Sequence, residues 1–553
     1  MDTMNDEGRR EFDEWNNDLN LNSYSLDQDL RHTIAFHLPD KFQELDQKLE
    51  AFAEKIIHDV IPLVRENNLP ENLPKLVRYD PFGNPCNFIK HHPSYEQAGN
   101  LIYSSGLMNH FARDGGLTEG LCYHLISSFA GEAGHNCPIA CSAGIQRVLR
   151  KICDHPQKDL FLSKLKIPSY VDNYTGAQFV TEIQGGSDVG KNATTATDHG
   201  NGHWRISGEK WFCSNADADL FLVIARYLPD SIGTKGLGLF LIPAKLESGE
   251  DNGYVIRRLK DKLGTRTLAT AEIEFKGALG FPMGPLENGF KSLMENVLHL
   301  SRLFNSICVI GMARRALYIA TSYAKRRSAF GNPIFHYPLV KEQLARIKSE
   351  NNALLSSIFA TLQLQDAFDL SLNKTNDRKL LLRLLANLNK YLSAKWTVEH
   401  IHHSLDVLAG NGTIETFSSI PQLLRDSIIC ENWEGTHNTL RMQVLKDILR
   451  YQVDDLFTAY VEEVLSQLQI EHPLTGFLNS VRNSFVKLKD ADPAMQSLLI
   501  KQVVDQMACL FASAHLLLEA LDQQKNQIHS KMQNFDYFVR LHSNLFHDMN
   551  LSE

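Results

Sequence analysis

Apolar residues recur every three to four positions through most of this chain, and the places where that period changes mark its internal boundaries. "KFQELDQKLEAFAEKIIHDVIPLV" and "LTEGLCYHLISSFAGEAGHNCPIACSAGIQRVLRKI" carry the period, which lays one apolar stripe along an α-helix. A Pro/Gly-rich stretch, "RYDPFGNPCNFIKHHP", separates them and reads as a connector. The chain is therefore expected to open on a polar, partly ordered, flexible segment over 1–30, followed by an N-terminal helical domain over 31–175. Around residue 176 the pattern shortens. "GHWRISGEKWFCS", "ADLFLVIARY", "GLGLFLIPAKL", "GYVIRRL" and "TAEIEF" are rich in β-branched and aromatic side chains, and turn signals such as "HGNGH" and "ESGEDNG" divide them. They predict a middle domain of antiparallel β structure over 176–285. The helical period returns in long segments suited to a bundle over 286–452, and a helical extension covers 453–553. The fold class read from this order is mainly α with a central β domain.

Composition removes several function classes. With 43% hydrophobic and 22% charged residues, the chain has the make-up of a soluble globular protein. Its net charge of −9 gives no overall attraction to nucleic acid or to anionic membrane. No apolar run approaches the roughly 18 residues of a spanning helix, so no membrane span is expected. "MDTMNDEGRREFDEW" has neither the apolar core of a secretory signal nor the acid-poor character of a transit peptide. The final "LSE" is not a peroxisomal tripeptide. The expected location is cytoplasmic. Nine scattered cysteines without a C-x-x-C pair read as buried or free thiols. "VEHIHHSLD" sets His400 and His403 one turn apart, but no acid or cysteine stands at ligand spacing, so packed or solvated histidines are expected and no metal site.

Two short stretches carry candidate chemistry. In "ENWEGTHN" (431–438) Glu434 stands between Trp433 and Gly435, just before Leu440, Val444, Leu445, Ile448 and Leu449, which have the spacing of an amphipathic helix that Thr436 or Asn438 could cap. Glu434 is then either an acid placed for the helix dipole or a functional carboxylate at a loop-to-helix corner. In "FVTEIQGGSDVGKNATTA" (179–196) Thr181, Gly185, Gly186, Ser187 and Asp188 fall in one loop. Paired glycines let backbone N–H groups approach a ligand and the hydroxyls add donors, although an ordinary turn has the same composition.

Taken in order, these and further motifs resemble the acyl-CoA dehydrogenase flavoproteins. The family's TE-x-x-x-GSD loop appears as Thr181 to Asp188, and its next signature as "GEKWFCSN" (208–215). "LKDKLGTRTLATAEIEF" is similar to the strand pair that ends its β domain. "RRSAFG" matches R-x-x-F-G at Arg327 and Phe330. "LAGNGTIE" and "LLRDS" stand where the family has Gly-Gly-x-Gly and Arg-Asp, and "WEGTHN" falls on E-G-T-x-Q. "EAGHNCPIACSAG", "TEIQGGSDVGKN", "RLKDKLGTRT" and the region after 450 resemble the AidB-like branch in particular. The resemblance implies a helical domain, a β-barrel-like domain, a four-helix bundle and a C-terminal helical extension, assembled as a homotetramer.

The resemblance also implies roles. The cofactor would be FAD and the substrate an acyl-CoA thioester, with Glu434 removing the α-proton. Such a base must reach that proton, and its pKa should lie towards neutrality; desolvation beside Trp433 could raise it. Some relatives carry the glutamate on the first long bundle helix, just before an arginine. Here that pair is Ser301 and Arg302, which leaves Glu434 as the candidate. By the same resemblance Thr181 would bond the flavin edge, Ser187 the pyrophosphate side, and Phe212 and Ser214 would lie against the isoalloxazine ring. Arg327 and Phe330 would reach the FAD of a neighbouring subunit, Gly410 and Gly412 would belong to the cofactor site, Thr436 and Asn438 would meet the adenosine part, and Arg302 would line the acyl-CoA cavity. Pro338 departs from the family, which often has glutamine there.

Three functions fit this reading. The first is an acyl-CoA dehydrogenase passing electrons to a separate acceptor, such as an electron-transfer flavoprotein. The second is an AidB-like alkylation-response flavoprotein that also binds DNA, and the third is a flavoprotein that sequesters acyl-CoA without turnover. DNA binding requires a basic footprint. From 451 onward the chain has 7 Lys/Arg against 13 Asp/Glu, so the extension is poorly suited to nucleic acid.

Overall fold

The structure is a computed structural model that describes residues 7–468 and 470–546. Its principal helices are α1 (Glu7–Leu19), α2 (Gln28–His37), α3 (Asn136–Ile152), α4 (His299–Arg326), α5 (Pro338–Leu370), α6 (Asn376–Val407), α7 (Ile420–Asn432), α8 (His437–Tyr451), α9 (Pro493–Gln524) and α10 (Ser530–His542). His58–Phe304 forms one compact unit, and the stretches that flank it, through Ile57 and from Asn305 onward, together form the other.

In the unit spanning His58–Phe304, the β region is built from β3 (Gly176–Phe179), β4 (Thr195–Gly200), β5 (His203–Ser214), β6 (Leu220–Arg226), β7 (Leu237–Pro243), β8 (Tyr254–Leu259) and β9 (Thr270–Pro282). Pairings run β6–β4–β5–β9–β7 and return from β7 to β6, so the sheet closes on itself. The strand period explains why it must. Phe221, Val223 and Ala225 of β6 enter one apolar cluster with Phe179, Phe240 and Phe275. The alternate residues Leu220, Leu222 and Ile224 enter a second cluster with Ile145, Val148 and Leu149 of α3. A strand apolar on both faces needs cover on both sides. The expected antiparallel order is corrected at β6, with which β3 and, over one residue pair, β4 both pair in parallel, and α3 lies against β3 closely enough for Ser142 Oγ to accept from Gly176 N at 2.8 Å. The connector before it is corrected as well, because β1 (Lys75–Tyr79) and β2 (Pro85–Lys90) make an antiparallel hairpin within the region expected to be helical.

In the other unit, α1 and α2 pack with the bundle. Trp15 is 3% exposed, donates from Nε1 to Ser322 Oγ at 3.1 Å and stacks on Phe417 at 4.9 Å. The expected flexible segment is thus helical over Glu7–Leu19, and residues 1–6 lie outside the described ones. Glu519 of α9 is fully buried and accepts from Thr33 Oγ1 at 2.7 Å, with His37 Nε2 at 3.0 Å and the Lys531 ammonium beside it. A fully buried carboxylate persists only when it is paired in this way. His400 Nε2 lies 2.8 Å from Glu350 Oε2, and His542 Nε2 is 3.1 Å from Oε1 of the same carboxylate. Pro338 opens α5 at its first turn, where a missing N–H loses nothing. The stretches Leu286–Arg326 and Pro493–Gln524 are, against the sequence expectation, long and apolar enough to cross a membrane, but 89% of each apolar window is buried inside the protein, as in a core helix.

Candidate functional site

The predicted site residues fall into two groups, one in each unit. In the unit spanning His58–Phe304, the loop after β3 turns back at Glu182, whose N–H donates to Gly185 O at 3.2 Å while Gly185 N returns a bond to Glu182 O at 3.1 Å. This tight reversal puts Gly186 beside Thr181, and a Cβ there would meet Thr181 Cγ2 at 3.2 Å. Ser187 follows on the exposed rim. The loop is pinned to β5, since Trp211 N donates to Thr181 O at 2.9 Å. Here the register of β5 against β9 slips between Lys210 and Cys213, and such a bulge re-aims side chains. Phe212 is left 52% exposed. Lys260 Nζ stands 3.5 Å from the Trp211 ring centre and 4.8 Å from that of Phe212. Ser214 Oγ and Thr270 Oγ1 are 3.1 Å apart, and Lys262 Nζ donates to Thr270 Oγ1 at 2.8 Å. Thr181, Phe212 and Ser214 thus sit on one joined loop and strand. Arg302, by contrast, is buried on α4.

Sequence reasoning missed the ion pair beneath this loop. Lys210 is fully buried and donates to Glu182 Oε1 at 2.6 Å and Ile224 O at 2.8 Å. Ala193 N and Thr194 N also donate to Glu182. Burial pushes the Glu182 carboxyl up, but Lys210 and these N–H groups outweigh it and hold it below the usual carboxylate range. The signal was present in the quoted motifs, as the acid of "TE" and the lysine of "GEK".

In the other unit, Glu434 lies in the turn between α7 and α8, half-buried, with φ +59. Gly435 follows at φ +111, a value open to glycine. The dipole reading of Glu434 fails on position, because α8 begins at His437 and has no acid in its first turn. Capping is also corrected: Thr436 is the N-cap residue but makes no side-chain cap bond, its Oγ1 lying 3.0 Å from Thr439 Oγ1. Asn438 accepts from Arg441 Nη1 at 2.8 Å. Trp433 packs on the apolar cluster built around Val309, Ile401 and Leu423. Three side chains fix the turn: Asn305 Nδ2 donates to Cys430 O at 3.0 Å, His437 Nε2 lies 2.6 Å from Glu431 Oε1, and Lys390 Nζ donates to Glu431 O and Gly435 O.

The remaining predicted residues lie at other places in this unit. Arg327 leads into a hairpin of β10 (Ser328–Ala329) and β11 (Asn332–Pro333), whose tip residue Phe330 is 96% exposed at φ +52. Glu11 of α1 accepts from Arg327 Nη1 and Ser328 N, each at 3.0 Å. Gly412 lies so close to α6 that a Cβ would meet Leu405 O at 2.3 Å, whereas a Cβ on Gly410 would meet nothing within 4 Å.

The comparisons agree with this layout. The C-terminal domain of acyl-CoA dehydrogenase matches residues 287–449, its middle domain matches 177–278, and the N-terminal domain of the adaptive response protein AidB matches 16–171. Over 416 residues, 71% of this chain and 72% of the relative, the sequence is 30% identical to AidB of Escherichia coli strain K12. The fold matches Caenorhabditis elegans ACDH-11 in complex with C11-CoA at a TM-score of 0.86 and 24% identity, covering 96% of this chain and 92% of that one. It also matches an acyl-CoA dehydrogenase from Bacillus anthracis complexed with FAD at a TM-score of 0.71 and 18% identity, covering 91% and 86%.

Proposed function

Because the chain belongs to the acyl-CoA dehydrogenase family, in its AidB branch, we propose that it is an FAD-dependent acyl-CoA dehydrogenase with Glu434 as its base. The observation that carries this reading is the Glu434 turn. The left-handed turn is held on both flanks of a half-buried Glu434, which sets the direction in which its side chain leaves the backbone, as a base aimed at one carbon requires.

The residues present suit FAD. The re-aimed end of β5 offers an aromatic face at Phe212, with Lys260 beside it and the Ser214–Thr270–Lys262 donors at its edge. Thr181 and Ser187 supply hydroxyls on a loop whose glycines allow close backbone approach. The exposed Arg327–Phe330 hairpin is suited to the FAD of another subunit, which makes a homotetramer the assembly of choice. Gly410, Gly412, Thr436 and Asn438 complete the proposed cofactor residues, and the buried Arg302 is assigned to the acyl-CoA cavity. When bound, FAD supplies the acceptor for the hydride that leaves the acyl β-carbon. Glu434 takes the proton from the α-carbon, and the electron pair of that C–H bond becomes the new double bond. A separate carrier then accepts the electrons.

The test is an anaerobic titration of FAD-loaded protein with saturated acyl-CoAs of increasing chain length, followed at the flavin absorption band. Bleaching that disappears in Glu434→Gln is expected. A spectral shift without bleaching would mean that acyl-CoA is held and not oxidised, and the dehydrogenase reading would be abandoned.

A further inference from the structure

Lys390 is a buried charge that this mechanism leaves without a task and that touches the Glu434 turn. It sits in the middle of α6 with no solvent exposure. An ammonium is seldom left there unless it meets acceptors that nothing else supplies. Among its acceptors are two backbone carbonyls, Glu431 O at 2.8 Å and Gly435 O at 2.9 Å. The first belongs to the last turn of α7, where carbonyls lack helical partners. The second lies one residue beyond Glu434. One cation therefore clasps the chain three residues before the base and one residue after it.

The backbone between those two points needs such a clasp. Glu434 at φ +59 and Gly435 at φ +111 occupy regions that L-residues avoid, and such conformations persist only when the surroundings over-determine them. The next residue on α6, Tyr391, is held in turn: its hydroxyl donates to Asp505 Oδ1 of α9 at 2.6 Å and receives Arg441, whose Nη1 reaches Asn438. The lysine thus approaches the turn from a helix that is itself anchored.

We infer that Lys390 is a positioning residue for the reaction, its ammonium holding the left-handed turn that aims the Glu434 carboxylate. The inference rests on the proposed role of Glu434 as base. A residue that only stabilised the bundle would, when lost, reduce cofactor retention, substrate binding and rate together. A residue that aims the base should lower the rate alone, since displacing a reacting group by about 1 Å can cost on the order of 100-fold.

The experiment compares FAD-loaded wild type, Lys390→Met, which keeps the length and loses every donor, and Lys390→Gln, which keeps an amide donor. Three quantities are read: FAD retained after gel filtration, acyl-CoA affinity from the concentration dependence of the spectral change, and the single-turnover bleaching rate at saturation. The expected result for Lys390→Met is a rate lower by about 100-fold, with both binding readouts within about threefold of wild type and the rate partly restored in Lys390→Gln. If Lys390→Met does not retain FAD, Lys390→Gln alone decides, and a normal rate in it overturns the inference. Rate, affinity and FAD retention falling in parallel would overturn it too, as would a Lys390→Met rate near that of wild type. If the wild type itself is not bleached by any acyl-CoA, the dehydrogenase reading fails first and the positioning role falls with it.

Discussion

Replacing Lys210 by methionine is expected to destabilise the unit spanning His58–Phe304 by about 3 kcal/mol at pH 7 and by much less at pH 5. The Glu182 and Lys210 side chains are 3% and 0% exposed, and breaking a buried ion pair from one side costs about 3–5 kcal/mol. The N–H groups of Ala193 and Thr194 stay in place, which favours the lower end. Protonation sets a ceiling: neutralising a carboxyl of ordinary pKa costs about 3.7 kcal/mol at pH 7 and about 1 kcal/mol at pH 5. The sign follows from linkage. In the wild type the Glu182 carboxyl is held low, so its contribution is present above the unfolded pKa and is lost as pH falls through the folded one. Without Lys210, burial raises that carboxyl and the variant gains relative stability as pH falls. The assay is urea unfolding of the cofactor-free protein at both pH values, alongside Glu182→Gln/Lys210→Met, which should recover most of the loss. A single variant within about 1 kcal/mol of wild type at pH 7, or a double variant no better than the single, would refute the reasoning.

Two further outcomes are expected. Phe330→Ala removes a side chain that is 96% exposed, so the thermal midpoint should hold while FAD retention falls in the assembled protein; unchanged retention would remove Phe330 from the cofactor site. Asp219 accepts from Thr175 N at 2.7 Å, and burial raises its carboxyl to about 6. Its contribution is therefore full below the unfolded pKa and is lost as pH rises through about 6. Asp219→Asn should gain on wild type by up to about 3 kcal/mol between pH 4 and pH 7, and thermal unfolding at the two pH values checks it.

The β domain was legible because β6 and β7 alternate between two apolar clusters, leaving short uninterrupted hydrophobic runs. The Glu434 turn was legible because "WEGTHN" interrupts two helices with a glycine. The β1–β2 hairpin was not, since its residues are largely exposed or half-buried and leave no alternation to read. Helix α1 was hidden by its polar net composition, although its anchors Phe12, Trp15 and Leu19 stand at helical spacing. Lys390 looks in sequence like a solvated lysine between Asn389 and Tyr391; its burial comes from helices far along the chain. The same is true of Glu11, whose partner Arg327 lies 316 residues away. Charges satisfied by distant elements leave no local pattern.

The unit built from both ends of the chain has a consequence for synthesis. Residues 58–304 are contiguous and can close their cores as soon as they leave the ribosome. The first 57 residues cannot. Thr33 emerges early but bonds Glu519, 486 residues later, and Glu519 in turn relies on Lys531. Until α5 and then α9 are made, α2 lacks the two long helices it packs on, and a nascent chain stalled between 519 and 531 would hold an acid awaiting its counter-charge. The stretch before His58 is thus made ahead of the unit spanning His58–Phe304 but seated after it, and it is where a holding chaperone would have most to protect.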